Sequence, residues 1–142
     1  MSDLWVLVAN SAEARIYSGK HPRAPLTLLE TLQHDASRAP ARELISDAPG
    51  RVHDRFGPGR HSVESGQSAK TEEAERFARE IADRLSRARQ AGAFGRLVVV
   101  AAPAFLGQLR RVLDKSVAAA VVAEVNKDLV RAGAEAIQDQ IP

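Results

Sequence analysis

Apolar positions come first in short alternating or continuous runs and later in helical stripes, and that change of period divides the chain. Residues 4–9 (Leu-Trp-Val-Leu-Val-Ala) and 14–18 (Ala-Arg-Ile-Tyr-Ser) are rich in β-branched and aromatic side chains, with Asn10-Ser-Ala-Glu13 between them. They read as a β-hairpin or tight meander. After a turn at residues 21–25 (His-Pro-Arg-Ala-Pro), residues 26–32 alternate well enough for a third strand. Short connections favour antiparallel pairing among the three.

Residues 72–91 predict a helix. Ala74, Phe77, Ala78, Ile81, Leu85 and Ala88 recur at spacings of three and four, which draws one apolar stripe along it. Thr71 is the expected N-cap, Glu72, Glu73 and Glu75 suit the positive end of the helix dipole, and Gly92 is the expected stop. Residues 96–102 form a continuous apolar run, as in a strand buried on both faces. Pro103 opens a helix to about residue 113, with Phe105, Leu106, Leu109, Val112 and Leu113 on its buried side.

Residues 121–126 read as another strand, with a helical continuation over 117–123 as the alternative. Residues 129–141 read as a closing helix with Leu129, Val130, Ala134, Ile137 and Ile141 inward and Asp128 as its cap. The order is β-β-β-loop-α-β-α-β-α over one domain, residues 1–142. That order implies an α/β fold in which helices cover a mixed sheet.

Residues 35–70 fit neither period. They hold four of the nine glycines and three of the seven prolines and read as a long irregular loop. Within it, Arg51-Val-His-Asp-Arg-Phe-Gly-Pro-Gly-Arg-His61 concentrates Arg51, Arg55, Arg60, His53 and His61 beside permissive glycines. Long loops of this kind bind something or stay disordered. Gly57-Pro-Gly-Arg60 offers backbone N–H groups and a guanidinium to an anion, but lacks the Gly-Lys-Ser/Thr ending of a Walker loop.

Composition narrows the chemistry. An apolar fraction of 44% and a charged fraction of 27% are ordinary for a globular domain. With no cysteine, disulfides, thiolate metal sites and cysteine nucleophiles are excluded. One Trp, one Tyr and four Phe are few for a base-stacking platform. A net charge of +2 says little by itself, because clustering matters more than balance. Residues 4–9 are too short to span a bilayer and lack the cationic flank of a secretory signal, so cytoplasmic residence without a membrane partner is expected.

His53, Asp54 and His61 are the only clustered ligand types, with His21 and His34 distant in sequence, so no metal or other cofactor is expected. Ser65-Gly66-Gln67-Ser68 lacks the strand-turn-helix frame of a serine nucleophile elbow. Arg87, Arg89, Arg110, Arg111 and Lys115 read as solvated helix faces.

Several segments together carry a resemblance: Trp5-Val-Leu-Val-Ala-Asn10 with Ala14-Arg15-Ile16; the Pro49-Gly50-Arg51 to Gly59-Arg60-His61 stretch; Glu73-Ala-Glu-Arg-Phe-Ala-Arg79; Arg96 to Pro103; Leu106-Gly107 with Leu109-Arg110; and Lys127-Asp128-Leu129. In this order they resemble the bacterial host attachment protein family, with Asn10 where an Asp is expected and Val130 where a Thr is common. That family is similar in turn to the middle domain of archaeal and eukaryotic class-1 release factors, of RNase H-like type. The resemblance implies that Ser65-Gly66-Gln67 corresponds to a Gly-Gly-Gln loop in which glutamine orients water towards a peptidyl-tRNA ester. Ser65 departs from the first glycine of that motif, and a serine reaches the same torsions only with strain.

Three function classes follow. The leading one is a non-enzymatic domain that binds RNA or the ribosome through Arg51, His53, Arg55, Arg60 and His61. The second is hydrolysis of peptidyl-tRNA or a similar ester with Gln67 positioning water. The third is a protein-interaction module, with a homodimer among its candidate partners, that affects attachment indirectly.

Overall fold

The structure, a computed structural model, describes residues 4–34 and 57–142, with side chains described at 4–34 and 70–142. Five strands, β1 (Leu4–Ala9), β2 (Glu13–Gly19), β3 (Thr27–Gln33), β4 (Arg96–Ala101) and β5 (Val121–Val125), form one sheet in the order β3-β2-β1-β4-β5. The first three pair antiparallel, as their short connections require, while β4 runs parallel to both β1 and β5. The helices are α1 (Gly57–Gln90), α2 (Pro103–Val112), α3 (Lys115–Ala120) and α4 (Ala134–Gln140). The fold is therefore α/β with a mixed sheet, as the pattern of periods implies.

Central strands β1 and β4 are buried on both faces, which is why they read as unbroken apolar runs. Their alternate side chains feed two cores. Trp5, Leu7, Leu97 and Val99 meet Phe77, Ile81 and Leu85 of α1 and Phe105 and Leu109 of α2 on one face. Leu4, Val6, Val8, Val98 and Val100 meet Val130, Ile137 and Ile141 on the other. Edge strand β3 is tied down by Glu30, which accepts a bidentate pair of bonds from Arg84 at 2.8–3.0 Å. The Arg84 guanidinium also lies 5.7 Å from the centre of the Trp5 ring.

The expected stop at Gly92 is present, with φ of 76°. Ala93 N–H donates to Ala88 and Gly92 N–H to Arg89, the paired bonds of a Schellman motif. A Cβ on Gly92 would meet nothing within 4 Å, so a substitution there reads the backbone alone. Gly92→Ala is expected to lower unfolding free energy by about 1–2 kcal/mol, the cost of a left-handed L-residue. Gly92→Asn should lose less. Urea unfolding of the two variants measures the difference.

Four expectations are corrected. Residues 57–70, expected as the last part of the irregular loop, are helical, because α1 begins at Gly57 and runs through 34 residues; residues 35–56 lie outside the described residues. Thr71 lies inside that helix and is not its N-cap. The closing helix is shorter than residues 129–141: Ala132 N–H donates to Leu129 in a turn, and Gly133 is the N-cap of α4. Asp128 caps no helix, because its carboxylate is taken up by the Val130 N–H and by Asn10. The ambiguity over residues 117–123 resolves into both readings, α3 to Ala120 and β5 from Val121, where β-branched residues pair with β4.

Candidate functional site

The chain leaves the carboxyl ends of β1 and β4 in opposite directions. From β1 it turns into β2 on one side, and from β4 it passes through α2 and α3 to β5 on the other. Such a switch point opens a crevice at the carboxyl ends of the strands, the usual ligand position in open α/β sheets. Here a cleft of about 410 Å³ lies between Asn10 and Ala12 of the first turn, Lys70 and Thr71 of α1, Gln108 of α2, and Asp128 after β5.

The sequence builds this place locally. Asn10 ends the apolar run of β1, and its Oδ1 accepts from Ala12 N–H and Glu13 N–H, both at 2.9 Å, which turns the chain into β2. Its Nδ2 then donates to both carboxylate oxygens of Asp128, at 3.3 and 3.2 Å, and so clasps two loops 118 residues apart. Pro103 starts α2 directly after β4, and no side chain caps that helix. The first bond back from α2 is Leu106 N–H to Ala102, so the N–H groups of Ala104 and Phe105 lie outside its ladder. Neither Lys70 nor Gln108 has a side-chain partner among the described residues.

Behind the cleft, His34 is buried at 6% exposure with its ring stacked on Phe77, centroids 5.1 Å apart. Its Nε2 is 2.9 Å from Glu73, whose other oxygen accepts from Arg76 at 3.0 Å. His34 N–H donates to Ala12, so this latch fastens the end of β3 to both α1 and the first turn. A second cleft, between α1 and the α2–α3 junction, contains Ser86 and Asp114. The Ser86 hydroxyl, and after it the Val117 N–H, hold the Asp114 carboxyl below its ordinary pKa. Asp114 caps α3, which accounts for that arrangement.

Arg51, His53 and Arg55 lie outside the described residues. Arg60, His61 and Gln67 fall on the backbone of α1, so Ser65-Gly66-Gln67 is helical where the resemblance implies a loop. The residues in and behind the cleft are legible only singly: Asn10 as a turn former, Asp128 as a cap, His34 as isolated. Their shared signal is position, each lying just beyond a strand.

Among the described residues, no three of His, Cys, Asp and Glu converge to hold a metal ion, and no helix is long and apolar enough to cross a membrane. No curated protein matches the chain. A family model described as "Protein required for attachment to host cells" matches residues 5–141. That span takes in the whole sheet except Leu4, the first residue of β1, together with the residues that line the cleft, and the chain belongs to this family of proteins required for attachment to host cells.

Proposed function

We propose that the protein is an RNA-binding domain, associated with the ribosome, that holds phosphates through Arg51, His53, Arg55, Arg60 and His61. The observation that carries this reading is the start of α1. Arg60 and His61 occupy the opening turns of a 34-residue helix whose first turn has no acidic residue. Cations at the positive end of a helix are unfavourable by about 0.3–1 kcal/mol each, and an anion placed there relieves them. Arg51 and Arg55 lie a few residues upstream in the same basic stretch. On this reading the protein works in the cytoplasm as a single domain, and its effect on attachment is indirect.

Filter binding of single-stranded ribosomal RNA fragments across a salt series tests the proposal. Affinity should fall steeply with salt, and replacing Arg51, Arg55 and Arg60 by Ala should flatten the logarithmic slope by about 2. Absence of binding at low salt, or an unchanged slope in the triple variant, overturns it.

A further inference from the structure

We infer that the cleft at the carboxyl ends of β1 and β4 is a binding site for a ribonucleotide unit, distinct from the basic stretch at residues 51–61. Its position is the first ground. Parallel neighbours whose connections diverge leave a crevice that neither connection fills, and open α/β sheets take nucleotides there. Its volume of about 410 Å³ lies within the range of small-ligand sites.

The second ground is the division of charge across it. Lys70 stands on the α1 wall with no partner among the described residues, on the same cleft as the start of α2. That side suits an anionic group. Asp128, after β5, lines the same cleft and is held in place by Asn10. Its Oδ1 already accepts from Asn10 and the Val130 N–H, whereas Oδ2 accepts from Asn10 alone. A carboxylate oxygen with spare capacity beside an open cleft accepts hydroxyl protons, as an acidic side chain does for a ribose hydroxyl in dinucleotide-binding α/β folds.

A ligand that satisfies both groups carries a phosphate at one end and vicinal hydroxyls at the other, and the Gln108 amide on the same cleft is available to a base or sugar edge. A ribonucleoside monophosphate has that form. So does the 3′-terminal unit of an RNA strand, which combines a 5′-phosphodiester with a free 2′,3′-diol.

Isothermal titration of the full chain with AMP, 2′-deoxy-AMP and adenosine tests the site. AMP should bind, with 2′-deoxy-AMP and adenosine each weaker by about tenfold, the worth of one charge-assisted hydrogen bond. Lys70→Ala should weaken AMP by a similar factor and leave adenosine unchanged, and among the described residues Lys70 makes no side-chain bond whose loss could unfold the chain. A short RNA with a free 3′ end that displaces AMP, when its 3′-dideoxy counterpart does not, identifies the strand terminus as the source. Displacement by neither, with AMP bound, identifies the free nucleotide. The Arg51, Arg55 and Arg60 triple variant should bind AMP as the parent does, so this site and the RNA reading fail separately. No measurable binding of either AMP or the RNA end overturns the inference, as does equal affinity for AMP and 2′-deoxy-AMP.

Discussion

Phe77→Ala should lower unfolding free energy by about 3–5 kcal/mol, the range for removing a buried aromatic ring. Phe77 has no exposed surface and is the largest fully buried side chain among the described residues. It stacks on His34 and meets the Phe105 ring at 5.9 Å, so it joins β3, α1 and α2 at one point. Truncation leaves a void between elements that are remote in sequence, and a void there closes only if the sheet and both helices shift together. In urea the midpoint should fall with an unchanged slope, since the surface exposed on unfolding stays the same. Phe77→Leu keeps most of the volume and should lose about 1.5 kcal/mol or less. Leu28→Ala, at a residue 49% exposed on β3, should change stability by about 0.5 kcal/mol or less. Equal losses for Ala and Leu would show that filling the volume does not replace the ring's own packing, whereas a loss near zero for both would show that this packing does not matter.

What the sequence makes legible follows from how each element is stabilised. β1, β4 and the half of α1 that carries Ala74, Phe77, Ile81 and Leu85 are specified by burial, and burial leaves a period. Gly92 is legible because a left-handed stop demands it. The start of α1 is not legible. Gly57, Gly59 and Gly66 each weaken a helix by about 1 kcal/mol relative to Ala, and the Gly-Pro-Gly run punctuates like a turn. Propensity describes an isolated segment, however. Once the apolar stripe has nucleated α1, each added residue gains a backbone bond without repeating the nucleation cost. The same reasoning runs in reverse at the other end of the chain. Leu129 and Val130 carry the spacing of a helix, but Gly133 interrupts it and Asp128 draws the backbone of Val130 into a turn.

The cleft was illegible for a different reason. A helix stripe or a strand run lies in one window of sequence, whereas the cleft assembles from the first turn, the middle of α1, the start of α2 and the loop after β5. None of those windows is unusual alone. Strand order brings them together, and it depends on β4 inserting beside β1 after a long excursion, which no local pattern encodes. The basic stretch at 51–61 shows the converse: it is conspicuous in sequence because its residues are adjacent. Conspicuous clusters and assembled sites are thus found by different means.

Asn10→Asp should lower stability by about 2 kcal/mol, and the loss should be recovered by a second change at Asp128. The parent clasp has an amide donating to both oxygens of a carboxylate. In Asn10→Asp the side-chain oxygen that accepts from Ala12 N–H and Glu13 N–H remains, so the turn into β2 keeps its bonds. The donor is lost, and a second negative charge faces Asp128 across the former bond. Two unit charges at such a separation repel by about 1 kcal/mol even in bulk water, and more beside a partly buried turn. Removal of the charge-assisted bond adds to this. The double variant Asn10→Asp with Asp128→Asn reverses the pair: the new amide at 128 donates to the new carboxylate at 10, and the charge in the cleft is restored to one. Urea unfolding of the four proteins forms a cycle whose coupling should be about 1–2 kcal/mol, in the range for directly bonded side chains. A coupling near zero would mean that the two loops are held by their backbones and that the clasp is incidental. A large coupling accompanied by weakened AMP binding in both single variants would tie the rigidity of this loop pair to the cleft it borders.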